Sequence, residues 1–387
     1  MYAPDSIMNA QALTPFVFRH GRVGDMVMQT ALSAVLHRRY GAPCQIVGAG
    51  PWNQSVVIGN PDVGRCWTVP RHAPFVLTPQ WPRIVHALHK SAPGPIYVAE
   101  YQYRQLPRVR RLLRTSGIDM NRCVFIDENP GDHGHWIDAL MRLGARTPTA
   151  LRASDYPVIP EAQTFAPRLF VLDSERRSRD VWLREHGWSD RVIVLVQPGN
   201  HRSMSVRSRD RWAERDDKSW PIGQWRELLG AVREQLPDAL IMLRGAVAEV
   251  PMLEIMRRAL GISGVQVMGS DLRLLFALLE VVHSVISVDT GPAHAAAALG
   301  APLIVLFGNA PQSVWLPRGG SAMPIFGIGG PPERRHIANI SVREAVEAWN
   351  SLLFQRESAV RSSVTPRRSA DADADDGVRY RKLALTL

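Results

Sequence analysis

The stretch VISVDTGPAHAAAALGAPLIVLFGN, residues 285–309, decides the fold. Two short runs rich in β-branched and leucine residues, 285–288 and 303–307, flank a polar turn and an alanine-rich segment. This pattern predicts a strand, a tight loop, a helix and a second strand. The turn before the helix combines an acid, a hydroxyl, a glycine, a proline and a histidine. A turn that only connects a strand to a helix does not need this set of side chains, so a functional role has to be considered.

The same alternation runs along the rest of the chain. The apolar run FVF at 16–18 leads into the loop RHGRVGD, and the segment that follows has helical spacing and ends at Gly41. Further strands are predicted at 95–100, 123–127, 192–197, 239–245 and 265–269 and in the segment CQIVGAG. Alternating strands and helices favour parallel sheets with right-handed crossovers, so we predict an α/β fold.

Length and composition indicate two domains. The 387 residues are 45% hydrophobic, enough for two cores. A polar, charged segment begins near residue 173 and leads into a new buried strand. We therefore predict a first domain at 14–173 and a second at 174–356. Residues 357–387 are rich in Ser, Arg and Asp, which predicts a disordered tail.

The formal net charge of +10 favours an anionic partner: nucleic acid, a phosphorylated or nucleotide-sugar substrate, or an acidic membrane. The arginines are not interleaved with exposed aromatic residues, which argues against a nucleic-acid-binding protein. The absence of GxGxxG argues against a dinucleotide oxidoreductase. Three scattered cysteines, no signal peptide and no long apolar run predict a cytoplasmic protein that could still dock on a membrane.

Two loops carry the candidate chemistry, because ligands of parallel sheets bind beyond the carboxyl ends of the strands. The turn 289–294 offers a flexible glycine, a proline suited to a first helical turn, and amides plus a helix dipole that favour an anion. The loop 20–25 has two glycines and places Asp25 at a helix start. The alternative is structural: Asp25, Asp289 or Thr290 only caps a helix, and His294 is a core histidine.

The segments RHGRVGDMVMQTALSAVLHRRYGAPCQIV and VDTGPAHAAAALGAPLIVLFG, with DKSWPIGQWRELL between them, resemble glycosyltransferase family 9, the ADP-heptose:lipopolysaccharide heptosyltransferases. The likeness extends with gaps from about Phe16 to Leu353. It implies a GT-B fold, with two Rossmann-like domains facing across a cleft. The first would hold mainly the acceptor and the second the nucleotide sugar. It also implies inverting transfer without a metal or other cofactor.

The resemblance implies a role for individual residues. Asp25 would be the general base that deprotonates the acceptor hydroxyl. Lys218 would neutralise the diphosphate leaving group. The residues implied in donor binding are Asp289, Thr290, Gly291, His294 and Glu249, and those in acceptor binding are Gly24, Arg22 and Arg104. Two features depart from the family pattern: Ala31 replaces a usual proline, and the segment before Lys218 is longer and more basic than usual. We expect that basic segment, 201–218, to be a mobile loop.

The resulting hypothesis is a transferase that moves a sugar to a hydroxyl of a lipopolysaccharide core or related anionic glycan. The first candidate for the sugar is heptose, donated by ADP-heptose. The alternatives are another nucleotide sugar, a protein acceptor, or a non-catalytic nucleotide-binding relative. Peripheral contact with the cytoplasmic face of the inner membrane is also expected.

Two further clusters are ambiguous. The histidines His133 and His135 invite a metal hypothesis, but they have no third ligand nearby in the sequence. The arginines of RQLPRVRRLLR form either a solvated helix or an anchor for an anionic acceptor or lipid; they are Arg104, Arg108, Arg110, Arg111 and Arg114.

Overall fold

The computed structural model describes residues 11–71, 77–100, 105–160, 165–200, 203–204, 217–332 and 336–364. Within these ranges the chain forms two parallel β-sheets, each flanked by helices. The strands of the first sheet are β1 (Phe16–Arg19), β2 (Cys44–Ala49), β3 (Val63–Val69), β4 (Ile96–Val98) and β5 (Cys123–Phe125). Those of the second are β6 (Ile193–Gln197), β7 (Leu240–Gly245), β8 (Val265–Gly269), β9 (Ser284–Val288), β10 (Leu303–Phe307) and β11 (Ile325–Gly329).

The helices connect these strands in the right order for βαβ units. In the first half they are α1 (Val23–Tyr40), α2 (Trp52–Val57), α3 (Gln80–Lys90), α4 (Gln105–Thr115) and α5 (Trp136–Ala145). In the second half they are α6 (Asp173–Glu185), α7 (Ile222–Gln235), α8 (Val250–Leu260), α9 (Leu272–Leu279), α10 (Gly291–Ala298), α11 (Gln312–Trp315) and α12 (Val342–Val364). None of the helices in the described ranges combines the length and the apolarity needed to cross a membrane.

Strand order places the functional loops. The first sheet runs β3-β2-β1-β4-β5 and the second β11-β10-β9-β6-β7-β8. In both sheets the order reverses at the first strand, so the crevice where ligands bind in such sheets lies between β1 and β4 and between β6 and β9. The loop 20–25 follows β1 and the turn 289–294 follows β9. Both therefore stand at topological switch points.

The two halves share a hydrophobic core. Met26 and Val27 of α1 belong to the same buried cluster as Ala293, Ala295 and Ala296 of α10. The short alanine side chains of α10 allow α1 to pack closely against it. The alanine-rich segment of the opening stretch is thus explained by packing between the halves.

The predicted α/β fold with two parallel sheets is confirmed, with strand boundaries that agree within a few residues. Sequence reasoning missed β3, in which Gly64 and Arg65 are exposed, and β11, which is half-buried. Residue 357, the predicted start of a disordered tail, lies within helix α12, which continues to Val364. In this last part of the helix Glu357 and Arg361 pair across one turn and Ser358 bonds to the Phe354 carbonyl.

Helix α6 begins at Asp173, at the predicted change of domain. Residues 365–387 and most of the predicted mobile loop 201–218 lie outside the described residues, and so does Arg104.

Candidate active site

The starts of α1 and α10 press against each other, which brings the two candidate loops together from opposite halves. An ideal Cβ on Gly24 would lie 2.8 Å from Cδ2 of His294. One on Gly291 would lie 2.7 Å from Cβ of Val23 and 3.0 Å from the amide nitrogen of Gly24. Only glycine fits at either position without displacing its neighbour. The loops that the sequence placed in separate domains therefore form one site.

Asp25 lies in the first turn of α1 and uses both carboxylate oxygens. Its Oδ2 accepts a hydrogen bond from the backbone N–H of Arg22 at 2.8 Å, and its Oδ1 pairs with Nη2 of Arg19. Burial by itself would raise the pKa of Asp25, but the charge of Arg19 and the hydrogen bonds from Arg22 and Arg19 hold it below its ordinary value. Asp25 caps its helix, as the structural alternative held, and it is also ionised at neutral pH beside the second half.

A buried polar network supports Asp25 from behind. Arg19, at the end of β1, is 2% exposed and also donates to the Ala99 carbonyl at 2.9 Å. The next residue, His20, donates its backbone N–H to the buried carboxylate of Glu100, which follows β4. Burial lowers the pKa of His20, opposed by the charge of Glu100 and reinforced by that of Arg19. The network fixes the loop 20–25 at the switch point of the first sheet.

Lys218 and Asp289 are ion-paired at the switch point of the second sheet. Nζ of Lys218 lies 2.7 Å from Oδ2 of Asp289 and 2.5 Å from its carbonyl oxygen. The segment after Lys218 is anchored by Trp220, whose Nε1 donates to the Ile340 carbonyl at 3.1 Å. The turn before Lys218 lies on the end of β10, where a Cβ on Gly308 would be 2.1 Å from the Asp217 carbonyl oxygen.

The start of α10 has no side-chain cap. Thr290 is the N-cap residue, yet its side chain makes no capping hydrogen bond. Its hydroxyl instead donates to the Val288 carbonyl at 3.1 Å. The predicted alternative in which Thr290 caps the helix is therefore not what the structure contains. Amides and helix dipole at this end can stabilise a phosphate group.

His294 lies between the two acids, on the first turn of α10, and is 6% exposed. Burial lowers the pKa of His294, while Asp289 and Asp25 act in the opposite direction and Lys218 in the same one. The imidazole is accordingly neutral at pH 7. The neutral ring lies against Gly24 of the Asp25 loop without adding charge there.

Glu249 lies at the end of β7, at the same edge of the second sheet. Its Oε2 accepts the backbone N–H of Ala246 at 2.8 Å, so the carboxylate closes its own turn. Burial raises the pKa of Glu249, against the Ala246 hydrogen bond and the charge of Arg244. Its implied contact with the nucleotide stays a prediction.

Arg22 is exposed beside Gly24 at the start of α1.

The two ambiguous histidines, His133 and His135, have different environments. His133 is exposed, whereas His135 is buried and caps α5, since its Nδ1 accepts the Ile137 N–H at 3.1 Å. Its Nε2 lies 2.8 Å from the Leu316 carbonyl oxygen of the second half. Within the described ranges no group of three His, Cys, Asp or Glu side chains is arranged to hold a metal ion. His135 thus joins the halves structurally.

The sequence singled out Asp25 but missed Arg19 and Glu100, which hold its loop. Both had a usable signal: Arg19 ends the apolar run FVF, and Glu100 ends the run IYVA. A charged residue closing a buried strand of a parallel sheet is directed toward the ligand edge.

Comparison with known proteins supports the resemblance. Residues 211–337 match the model of glycosyltransferase family 9 (heptosyltransferase), a range that includes Lys218, Glu249 and the turn 289–294 but not Asp25. Among curated proteins the chain has no match.

Solved structures share the fold across nearly the whole chain. E. coli ADP-heptose LPS heptosyltransferase II is 18% identical, with 89% of this chain and 100% of that one covered and a TM-score of 0.64. A family 9 glycosyl transferase from Veillonella parvula is 13% identical, with 90% and 99% covered and a TM-score of 0.68. E. coli heptosyltransferase WaaC with ADP-2-deoxy-2-fluoro heptose is 17% identical, with 88% and 99% covered and a TM-score of 0.58.

At these identities the structural likeness establishes the fold, and the predicted GT-B architecture is confirmed. The match to the family model lies in the second half of the chain, which contains the predicted donor residues. Together they confirm the resemblance to glycosyltransferase family 9 and identify the protein as a glycosyltransferase.

Proposed function

We propose that the protein transfers a sugar, heptose from ADP-heptose in the first place, to a hydroxyl of a lipopolysaccharide core or related anionic glycan, with inversion and without a metal. One observation carries this proposal: the start of α1, which bears Asp25, contacts the start of α10, and His294 on α10 interacts with the charges of both Asp25 and the Lys218–Asp289 pair. A base and an anion site from opposite halves meet where a sugar could bridge them. That arrangement suits direct displacement at a sugar carbon.

In the proposed reaction the acceptor oxygen attacks the anomeric carbon while the bond from that carbon to the diphosphate oxygen breaks. The acceptor proton passes to Asp25. Because the pKa of Asp25 is held low, the proton transfers late, once the attacking oxygen has become acidic. Attack from the face opposite the leaving group inverts the anomeric centre.

The leaving diphosphate gains negative charge as its bond to the sugar breaks. Lys218 and the start of α10 would stabilise this charge, in the role that a metal ion plays elsewhere. Asp289 holds Lys218 ready by the 2.7 Å contact. Donor binding would draw the ammonium from this carboxylate toward the phosphates and leave Asp289 to contact the sugar.

Donor identity is tested by thermal unfolding against ADP-heptose, ADP, UDP-sugars, GDP-sugars and NAD. A ligand at a hundred times its Kd stabilises by about 2.7 kcal/mol. We expect a shift with the ADP compounds alone, and its loss in Lys218→Ala. A shift with UDP- or GDP-sugars alone would mean that the donor is one of these sugars and not ADP-heptose. A shift with NAD alone would contradict the proposal.

Turnover is tested with Asp25→Asn, which preserves size and capping ability. We expect unchanged ADP binding and a loss of transfer of about 10²- to 10⁴-fold. The matched control is Asp119→Asn, another capping carboxylate in the first half, which accepts the Asn121 N–H at 2.9 Å. Donor binding without any transfer by the wild type to phosphorylated core glycans would favour the non-catalytic alternative.

A further inference from the structure

Most of the excess positive charge lies in one part of the first half. Residues 63–118 contain nine Lys or Arg and a single acid, Glu100, in a chain whose net charge is +10. That acid is 1% exposed, so it cannot offset the surface charge. The part of this segment that the structure describes therefore has a strongly cationic surface.

Helices α3 and α4 form this surface as one layer. Ile84 and Leu88 of α3 share a buried cluster with Val109 and Leu113 of α4 and with Phe16 of β1. Both helices thus cover the same side of the first sheet, and their opposite sides face solvent. We call the six exposed cations on them the α3–α4 basic face: Arg83, Lys90, Arg108, Arg110, Arg111 and Arg114.

The charges of this face are available to an outside partner. Some exposed or half-buried arginines of the second half are neutralised: Arg176 pairs with Glu280 at 2.7 Å, and Arg318 with Asp138 at 2.6 Å. By contrast, no cation of the α3–α4 basic face makes an ion pair with any residue that the structure describes. Arg110 contacts the ring of Phe125 instead, at 4.1 Å from its centroid.

A cavity of about 700 Å³ adjoins α3. It is lined by Arg65, Arg83 and Lys90 together with Trp67, and no acid contributes to its wall. Arg65 lies over the Trp67 ring, 3.8 Å from its centroid. Three cations around one open cavity suit a phosphate group.

The layout favours an extended partner over a compact one. In a βαβ unit the helix runs from the ligand edge of the sheet back toward the opposite edge, so Lys90 and Arg114, in the last turns of α3 and α4, lie away from Asp25. Each helix has 11 residues and spans about 16 Å at 1.5 Å per residue. An acceptor group at the active site would contact the ligand edge alone.

We propose that the α3–α4 basic face docks on an anionic phospholipid membrane, with the cavity beside α3 receiving a phosphate of a lipid headgroup. Attraction of each basic side chain to such a surface adds to that of its neighbours and decays over one Debye length. The surface is separate from the transfer site, so the inference does not depend on the identity of donor or acceptor.

The test is co-sedimentation of the full chain with phosphatidylcholine vesicles that contain or lack phosphatidylglycerol. We expect binding only to the anionic vesicles and loss of binding at high salt. The variant Arg108→Gln/Arg111→Gln/Arg114→Gln should partition roughly a hundredfold more weakly. The control is Arg184→Gln/Arg258→Gln/Arg343→Gln, which removes the same charge from exposed positions of the second half and should bind like the wild type.

Equal weakening by both triple variants would overturn the proposal, since net charge alone would then explain binding. Failure of the wild type to bind anionic vesicles would do so as well. If the α4 variant kept its vesicle binding but lost affinity for a soluble phosphorylated glycan, the face would be assigned to the acceptor instead. An unchanged melting temperature of each variant confirms that its fold is intact.

Discussion

The amide nitrogen of Gly24 and the α-carbon of Gly291 approach so closely that a Cβ on Gly291 would lie 3.0 Å from that nitrogen. Through this contact the start of α1 meets the start of α10. The base predicted for one substrate and the anion site predicted for the other are thereby held together.

Gly291→Ala tests this contact. We expect it to lower the free energy of unfolding by about 1–3 kcal/mol, because the added methyl group must displace Val23 or the backbone of Gly24. The control is Gly230→Ala in α7, where an added Cβ meets nothing within 4 Å. That variant should gain about 0.5–1 kcal/mol from helix propensity. Urea unfolding measures both, and a neutral Gly291→Ala would show that the contact is loose.

Lys218→Ala should reduce kcat by about 10²- to 10³-fold, since it removes a positive charge from the leaving group. The control Lys90→Ala removes a lysine from the far end of α3 and should leave kcat for a soluble acceptor unchanged. Steady-state release of nucleoside diphosphate reports both values. A rise in KM with constant kcat would instead limit Lys218 to ground-state binding.

Arg19→Lys and Arg19→Met test what holds Asp25 ionised. The folded-state pKa of Asp25 is depressed, so the activity of its ionised form is present above that pKa and is lost as the pH falls through it. Removing the Arg19 charge should raise this pKa and move the acid limb of the kcat/KM profile to higher pH, and Lys should shift it less than Met. Arg142→Met, which breaks the half-buried pair with Glu128, should leave the profile in place. An unmoved acid limb in Arg19→Met would refute the assignment.

Acid should destabilise the fold through two histidines, the buried His135 and the half-buried His283. Burial is the main cause that lowers the pKa of His135, and of His283, to about 4. The unfolded chain then binds protons below about pH 6.5 that the folded one rejects, so each histidine makes stability fall between pH 6.5 and pH 4. The loss is up to about 3 kcal/mol per group.

His135→Asn keeps a capping side chain without a titrating ring, so its urea-unfolding free energy should depend less on pH in this range. His133→Asn, at an exposed position two residues away, serves as the control and should follow the wild type. The same pH dependence in all three proteins would refute the role of His135.

The two candidate loops could be predicted from the sequence because each is defined by a short, continuous segment. Glycine and proline after an apolar run located the loops 20–25 and 289–294, and parallel order then placed both at ligand edges. Strand β3 escaped because Gly64 and Arg65 are exposed and break the apolar pattern that marks a buried strand.

Contacts between distant segments were not accessible. The pairing of Lys218 with Asp289 and the approach of Gly24 to His294 depend on how the two halves pack, which no local pattern encodes. Arg19 and Glu100 each end an apolar run, but that signal does not show that the two residues act on the same loop. Their role emerges only when β1 and β4 lie side by side.

The core that Met26 and Val27 share with the alanines of α10 makes the two halves one folding unit. Truncation to the second half would leave the alanine face of α10 uncovered, next to buried leucines and phenylalanines of the same cluster. Such an exposed apolar surface promotes aggregation. A fragment cut at the predicted domain boundary should be poorly soluble, whereas co-expression of both fragments should restore a soluble heterodimer.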